Sequence, residues 1–246
     1  MEVIILAGGL GTRLRSVVSE VPKCMAPVAG KPFLWYLLSY LKRYDVSRVI
    51  LSVGYLREVI FSWIDTVREQ FPFAIDYAVE ETPLGTGGGI ALAMQHVQGE
   101  GAIILNGDTC FDVNLNALVD FHRAHPEAQL ILALKAMQDF DRYGTVIIDE
   151  QGKVLEFKEK RPCKSGLING GVYWMRNIPK DREESLFYGL PDKFSFENEV
   201  LTRHCGPNGC LYGIRQDGYF IDIGIPEDYR RAEQELPNMF ERLRKK

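Results

Sequence analysis

The first half of the chain alternates between short apolar runs and segments whose apolar residues recur at helical spacing. The apolar runs predict strands at residues 3–6, 48–53, 75–79, 102–105 and 129–134. Between them, apolar positions spaced i, i+3, i+4 and i+7 predict helices, as in Leu34, Leu37, Leu38 and Leu41. Strands that alternate with helices indicate an α/β fold, with a doubly wound, mostly parallel sheet and helices on both faces.

The pattern changes after about residue 143. The next strands are predicted at residues 146–148, 154–157, 172–174, 211–214 and 219–221. Turn residues predict reversals at residues 150–152 and 164–166, and a helix is predicted near residues 196–203. A last helix is predicted after Pro226, a residue that suits the first helical position. No flexible linker separates the halves, so we predict one continuous domain over residues 1–246 with a more antiparallel second half.

Composition narrows the class of protein. The 246 residues are 46% hydrophobic and 25% charged, which argues against a disordered or collagen-like chain. The net charge of −4 gives no overall attraction to nucleic acid or to an anionic membrane, and we expect neither as a partner. No apolar run reaches the roughly 18 residues of a membrane span. The five cysteines form no C-x-x-C motif, and together with the strand-like N-terminus they predict a reduced, cytoplasmic protein.

The loop after the first strand is a candidate phosphate site. Gly8, Gly9 and Gly11 would let backbone N–H groups approach a phosphate, and Arg13 adds a fork of donors that suits phosphate oxygens. Leu14 stands where a dinucleotide-binding loop would have its third glycine, and no Gly-Lys-Ser/Thr follows. The alternative is a simple glycine turn after a strand.

Three further residues carry charges that suit a nucleotide and its metal ion. Lys23 lies in a proline-stiffened segment ten residues after Arg13, so one stretch of chain supplies two cations. Asp108 and Asp222 each follow an apolar strand, and carboxylates at strand ends can hold Mg²⁺ together with substrate phosphates. Taken alone, Lys23 could be a surface charge and Asp108 a turn residue. The sequence does not show whether the two aspartates meet.

Together, these segments resemble the sugar-phosphate nucleotidyltransferases. The matching segments occur in that family's order at residues 6–14, 22–23, 83–88, 106–108, 142–144, 159–160, 169–171 and 222–224. The resemblance implies a Rossmann-like fold and transfer of a nucleoside monophosphate from an NTP to a sugar 1-phosphate, with release of pyrophosphate. Narrower motifs resemble the members that use GTP and D-glycero-α-D-manno-heptose 1-phosphate to make GDP-heptose for bacterial surface polysaccharide.

The resemblance also implies a role for each matching residue. The implied nucleotide-binding residues are Leu6, Ala7, Gly8, Gly9, Gly11, Thr12, Arg13, Glu80, Gly85 and Thr86. The implied sugar-phosphate-binding residues are Gly144, Glu159, Lys160, Asn169 and Gly170. The implied catalytic residues are Arg13, Lys23, Asp108 and Asp222, with the two aspartates as Mg²⁺ ligands. Residues 1–135 would then mainly bind the nucleotide, and residues 136–246 the sugar phosphate.

One interpretation assigns the choice of base to a single carboxylate. Guanine presents two neighbouring donors, N1–H and the exocyclic amine, which the carboxylate of Glu80 or Glu81 could accept, whereas uracil presents one. The alternative is that both glutamates face solvent.

Other functions also stay open: the same chemistry with mannose 1-phosphate or with UTP, or a non-catalytic subunit that binds sugar nucleotides. A nicotinamide oxidoreductase is disfavoured by the missing third glycine. A homo-oligomer is possible.

Overall fold

The computed structural model describes residues 1–9, 20–158 and 160–244. Its strands are β1 (Glu2–Leu6), β2 (Pro27–Val28), β3 (Lys31–Pro32), β4 (Arg48–Val53), β5 (Ala74–Val79), β6 (Gly101–Asn106), β7 (Thr109–Phe111), β8 (Leu130–Phe140), β9 (Val146–Ile148), β10 (Val154–Phe157), β11 (Cys163–Arg176), β12 (Leu211–Gln216) and β13 (Phe220–Asp222). Its α-helices are α1 (Phe33–Leu41), α2 (Arg57–Val67), α3 (Gly85–Met94), α4 (Leu115–Ala124), α5 (Thr202–His204) and α6 (Pro226–Arg244). Among these helices, none combines the length and the apolar character needed to cross a membrane.

Seven strands form one twisted sheet in the order β12-β8-β11-β6-β1-β4-β5. The pairs β6–β1, β1–β4, β4–β5 and β8–β12 are parallel, and β11 runs antiparallel to both β6 and β8. All strands except β11 therefore point in one direction, which confirms the predicted mostly parallel sheet. The second half contributes that antiparallel strand and the antiparallel β9–β10 hairpin, as its sequence pattern predicts.

Helices cover both faces of the sheet because successive strand residues point to opposite sides. In β1, Val3 and Ile5 belong to one apolar core, and Ile4 between them belongs to the other. The first core includes buried residues of α1, α2, α4 and α6, and the second includes residues of α3 such as Ile90. The packing confirms the doubly wound architecture.

One predicted turn is wrong. Residues 164–166 lie inside β11, which is 14 residues long, and Gly166 pairs with Met137 of β8. These polar and glycine residues stay extended because β8 continues to Phe140, past its predicted end at residue 134, and supplies backbone partners. The ladder is interrupted between Asn169 and Tyr173, where its register shifts. Backbone pairing with a distant strand thus overrides the local turn signal.

The helix termini follow their local sequence signals. The side chain of Asn114 caps α4 by accepting hydrogen bonds from the backbone N–H groups of Asn116 and Ala117. Helix α6 begins at Pro226, as predicted. The helix predicted near residues 196–203 is confirmed in position, but it is a π-helical turn over Glu197–Leu201 that continues into α5.

Candidate active site

A cavity of about 1020 Å³ opens where β1, β4, β5 and β6 end. In a parallel sheet this edge is the usual place for a ligand. Each predicted site residue in the described ranges lines it: Leu6, Ala7, Gly8, Gly9, Lys23, Glu80, Gly85, Thr86, Asp108, Gly144, Lys160, Asn169, Gly170 and Asp222. The predicted site residues Gly11, Thr12, Arg13 and Glu159 lie outside the described residues. One cavity therefore gathers residues from distant parts of the chain.

The two predicted metal-binding aspartates meet at this cavity. Asp108 follows β6, and the next residue, Thr109, begins β7. Strand β13 pairs antiparallel with β7 so that Asp222 lies opposite Thr109. One residue further on, the backbone N–H of Ile223 donates to the carbonyl oxygen of Asp108 at 3.0 Å. The short β7–β13 ladder thus fixes two carboxylates, which are far apart in sequence, beside each other.

A lysine ammonium lies between these carboxylates. The Nζ atom of Lys23 is 2.5 Å from Oδ2 of Asp108 and 3.7 Å from Oδ1 of Asp222. Burial, together with the nearby charge of Asp108, raises the pKa of the Asp222 carboxyl above its usual value, although Lys23 and the backbone N–H of Gly224 oppose the shift. Two close carboxylates favour a positive charge between them.

The same pair fits a divalent metal ion. Mg²⁺ in nucleotide enzymes is commonly held by one or two carboxylates, with substrate phosphates and water supplying the other oxygen ligands. Asp108 and Asp222 are both partly exposed to the cavity, at 35% and 29% of their side-chain surfaces, so a substrate can reach them. Among the described residues, no group of three or more side chains that could hold a metal ion occurs.

Glu80 lines the cavity directly after β5, and its carboxylate is held on both oxygens. Its Oε1 accepts a hydrogen bond from the Ser52 hydroxyl at 3.2 Å, and its Oε2 accepts from the backbone N–H of Leu84 at 3.1 Å. A Cβ atom on Gly8 or Gly89 would come within 2.9 Å or 2.7 Å of Oε1, respectively. The two glycines therefore leave space for this carboxylate, and the hydrogen bonds from Ser52 and Leu84 orient it.

Glu81 has a different environment from its neighbour. Its side chain is 77% exposed and its Oε2 lies 3.2 Å from Nη1 of Arg57. Both glutamates line the cavity, so each remains within reach of a ligand. Glu80 is better oriented than Glu81. Two hydrogen bonds hold the Glu80 carboxylate, whereas Glu81 makes an exposed ion pair, which fixes a side chain only weakly.

The Thr86 hydroxyl joins the loop at residues 83–88 to the 192–199 segment. It donates to Oε2 of Glu197 at 2.9 Å and accepts from the backbone N–H of Phe196 at 2.9 Å. The loop at residues 83–88 is also joined to the 192–199 segment through backbone hydrogen bonds between Leu84, Gly87 and Phe194. The Thr86 side chain therefore serves this contact, and a nucleotide contact by Thr86 would use its backbone.

The interrupted ladder of β11 also presents polar groups to the cavity. Nδ2 of Asn169 donates to the Tyr173 hydroxyl at 2.8 Å, and Oδ1 of Asn169 accepts from the backbone N–H of Gly171 at 3.1 Å. Gly171 has φ +71°, a conformation that glycine adopts readily. A Cβ atom on Gly171 would lie 2.7 Å from the side-chain nitrogen of Asn106, so this backbone turn requires glycine.

Several residues that line the cavity were not predicted from the sequence. Arg142, Tyr143, Tyr173, Glu197 and Asn198 are the clearest examples. Arg142 and Tyr143 directly precede the predicted sugar contact Gly144, which was an available signal. Glu197 and Asn198 carried no signal, because their place depends on the contact between two segments that lie over 100 residues apart.

The chain matches a known protein family and several known proteins. The family described as Nucleotidyl transferase matches residues 2–239. A relative from Aneurinibacillus thermoaerophilus, named D-glycero-alpha-D-manno-heptose 1-phosphate guanylyltransferase, is 46% identical over 236 residues, covering 96% of this chain and 98% of the relative. A relative of the same name from Campylobacter jejuni is 45% identical over 232 residues, covering 93% of this chain and 97% of the relative.

A solved structure shows the same fold. HddC from Yersinia pseudotuberculosis, complexed with GMP-PN, has a TM-score of 0.79 and 37% sequence identity. The similarity covers 95% of this chain and 98% of that protein. The architecture is therefore shared over nearly the whole length of both chains.

Proposed function

The chain belongs to the nucleotidyl transferase family, and from this premise we propose that it is a guanylyltransferase that acts on D-glycero-α-D-manno-heptose 1-phosphate. It would transfer GMP from GTP to the sugar phosphate, giving GDP-heptose and pyrophosphate. The observation that carries this proposal is the cluster of Asp108, Lys23 and Asp222 at the strand ends of one cavity. The names of the two relatives support the choice of heptose and guanine.

The reaction requires positioning and charge neutralisation more than covalent chemistry. An oxygen of the sugar phosphate attacks the α-phosphorus of GTP, the new P–O bond forms, and pyrophosphate leaves with the electrons of the broken bond. Lys23 would bind negative oxygens of the α-phosphate, and before substrate binds its two aspartate partners hold its ammonium at the cavity. Arg13, with the loop of Gly8, Gly9, Gly11 and Thr12, would bind the remaining phosphates.

Asp108 and Asp222 would hold Mg²⁺, the cofactor that we propose. The bound ion would polarise phosphate oxygens and stabilise the charge that develops on them. Both carboxylates already have a positive group between them, which is consistent with this role. Lys23 would then move towards the phosphates, because a substrate offers its ammonium new anionic partners.

Glu80 would read the base. Each of its carboxylate oxygens accepts one hydrogen bond from the protein, and a carboxylate oxygen has a second lone pair to accept another. Guanine can supply two donors to these positions, and uracil can supply one. Backbone groups of Leu6, Ala7, Gly85 and Thr86 line the same region and would hold the base and ribose.

The second half of the chain would bind the sugar phosphate. Gly144, Asn169 and Gly170 line the cavity near β11 and would contact the sugar, together with Glu159. Lys160 would bind the phosphate. Residues 1–135 would therefore mainly serve the nucleotide and residues 136–246 the sugar, within one domain that is expected in the cytoplasm, where GTP is made.

A substrate grid tests this function. Pyrophosphate release would be measured with Mg²⁺ for the four NTPs against a panel of sugar 1-phosphates that includes the manno-heptose and mannose compounds. We expect the highest kcat/KM for GTP with the heptose phosphate. A different preferred pair would overturn the substrate assignment and leave the chemistry intact. Inactivity with every pair would support a non-catalytic sugar-nucleotide-binding subunit instead.

A further inference from the structure

Arg142 has no assigned role, yet it lines the cavity. It lies in the loop between β8 and β9, two residues before Gly144, and its side chain is 43% exposed. Its Nη2 atom donates to Oδ2 of Asp228 at 2.6 Å. Within the described ranges this is the one side-chain hydrogen bond of Arg142, so its remaining N–H groups are available to a ligand.

Asp228 holds this guanidinium from a buried position. It lies in the first turn of α6, and its side chain is 8% exposed. Its second oxygen, Oδ1, accepts from Nη1 of Arg231 at 2.9 Å. One carboxylate thus faces two guanidinium groups, and Arg231 has a second acidic partner, Glu235, whose Oε1 accepts from its Nε at 3.0 Å. A side chain that is already held in place loses less conformational freedom when it binds a ligand.

The same turn of α6 also supports the segment that carries Lys23. The hydroxyl of Tyr229 donates to the backbone carbonyl of Pro27, and the backbone N–H of Ala29 is bound by Glu233, one turn further along α6. Asp222 is joined to α6 by only three residues. Helix α6 therefore contacts both Arg142 and the segment that follows Lys23, and it begins close to Asp222 in the chain.

Sheet order places Arg142 on the sugar side of the proposed reaction centre. Asp108 follows β6, whose neighbours are β1 on one side and β11 on the other. The predicted phosphate loop follows β1, whereas Arg142 follows β8, which lies beyond β11. A phosphate that enters between Asp222 and β11 would therefore meet Arg142, and the GTP phosphates would meet the loop after β1.

We propose that Arg142 binds the phosphate of the sugar 1-phosphate and that Asp228 positions it. This inference rests on the proposed function, and it adds a second cation to the expected Lys160. Arginine suits the role because its planar guanidinium can give parallel hydrogen bonds to two phosphate oxygens and remains charged at all working pH values. The simpler role, a salt bridge that only fastens the loop to α6, would not involve the phosphate.

Steady-state kinetics with three variants separate these roles. Arg142→Ala and Arg142→Gln remove the charge, and Arg142→Lys keeps it without the planar fork. We expect the uncharged variants to raise KM for the sugar phosphate about tenfold or more, the size typical of a lost charged hydrogen bond. KM for GTP should change less than about twofold. Arg142→Lys should lie between the wild type and the uncharged variants.

Arg231→Ala is the matched control, because it removes the other guanidinium from Asp228 but leaves the cavity cation. It should keep the KM for the sugar phosphate within about threefold of the wild type. A second readout is chemical rescue: guanidinium chloride at millimolar concentration should lower the KM of Arg142→Ala for the sugar phosphate and should not affect Arg231→Ala. A purely structural role would give no such selective rescue.

The KM values of the Arg142 variants decide whether Arg142 binds the sugar phosphate. Uncharged variants that shift the KM values for both substrates alike, or that leave the sugar phosphate KM within twofold, overturn it. If Arg142→Ala does not fold, as judged by its melting curve, Arg142→Gln, which keeps more of the side chain, carries the test. A wild-type enzyme that is inactive with every sugar 1-phosphate refutes the proposed function and this inference together, whereas an active wild type with unchanged variants refutes this inference alone.

Discussion

Asp222 lies opposite Thr109 in the β7–β13 ladder, and this pairing brings its carboxylate to the ammonium that also binds Asp108. The aspartates are separated by more than 100 residues of sequence, yet one short antiparallel pairing holds them together. Their common partner, Lys23, comes from a third segment near the N-terminus. A cavity at the carboxyl ends of parallel strands thus receives its charged groups from three parts of the chain.

Loss of either aspartate should impair turnover more than nucleotide binding. The carboxylates would stabilise charge that develops in the transition state, so Asp108→Asn or Asp222→Asn should lower kcat about a hundredfold or more. The Kd for GTP, measured by titration, should rise less than about tenfold because the phosphate loop and Glu80 remain. Asp217→Asn is the control, since Asp217 is exposed and pairs only with Arg215 among the described residues. Either cavity variant with wild-type kcat contradicts the assigned role.

The base assignment predicts a change in nucleotide preference. Glu80→Gln replaces one acceptor oxygen by a donor amide, which opposes the donors of guanine. We expect kcat/KM for GTP to fall about tenfold or more, while kcat/KM for UTP changes little. The preference for GTP over UTP should therefore fall by the same factor. Glu81→Gln is the matched control on the adjacent residue and should keep the ratio. Equal losses for both nucleotides in Glu80→Gln would show that the residue supports the fold and does not read the base.

The Thr86 hydroxyl should stabilise the contact between the loop at residues 83–88 and Glu197. Thr86→Val keeps the shape of the side chain but loses both hydrogen bonds, leaving the N–H of Phe196 without its partner. We expect about 1–2 kcal/mol lower free energy of unfolding, measured by urea denaturation. Thr86→Ser keeps the hydroxyl and should lie closer to the wild type. If Val and Ser variants prove equally stable, the hydrogen bonds contribute nothing measurable.

Gly171 offers a test of the backbone turn in β11. Gly171→Ala combines positive φ with a Cβ atom that would lie 2.7 Å from the Asn106 side chain. The expected loss of stability is about 2–3 kcal/mol. Gly189 has a similar φ of +69° but open space around it, so Gly189→Ala measures the backbone cost alone, about 1 kcal/mol. Equal effects at the two positions would mean that the contact with Asn106 adds no strain.

The ion pair between Glu2 and Arg48, at the amino ends of the parallel strands β1 and β4, should give a pH-dependent contribution to stability. Burial raises the pKa of the Glu2 carboxyl, but hydrogen bonds from Arg48 and from the backbone N–H groups of Gly99 and Gln98 bring it below its usual value of 4.5. A lowered pKa in the folded state stabilises the protein above the unfolded pKa, and that stabilisation is lost as the pH falls through the folded value. Glu2→Gln should therefore lower the Tm at pH 7 by several degrees, with a difference that shrinks below about pH 4.5.

Glu58→Gln is the control for this measurement, because Glu58 is 78% exposed and its ion pair with Arg57 contributes little. Its Tm should match the wild type at both pH values. A Glu2→Gln difference in Tm that stays constant from pH 7 to pH 3 would show that the effect comes from packing and not from the carboxylate charge.

The sequence was sufficient for the features that depend on local pattern. Burial on both faces of the parallel strands makes runs such as that of β1 apolar, and β4, β9 and β10 begin and end at the predicted residues. Asn114 and Pro226 mark helix starts through their own backbone preferences. The segments after the strands were predictable as candidate sites, because the carboxyl ends of parallel strands share one edge.

Features that depend on distant partners could not be predicted in the same way. The polar extension of β8 and the glycine-containing start of β11 are extended only because each supplies the other's hydrogen bonds. The meeting of Asp108 and Asp222 requires the β7–β13 register, and the place of Glu197 requires its contact with Thr86. Arg142 lies in the matching segment at residues 142–144, but the sequence could not show that Asp228 holds its side chain.

The most direct test of the central claim is to follow the phosphorus atoms of GTP. Wild-type protein would be incubated with Mg²⁺, the heptose 1-phosphate and GTP labelled with ³²P at either the α- or the γ-position. Attack at the α-phosphorus predicts that the α-label appears in the sugar nucleotide and the γ-label in pyrophosphate. Transfer of the γ-label to the sugar, or no α-label in any sugar product, would contradict the account.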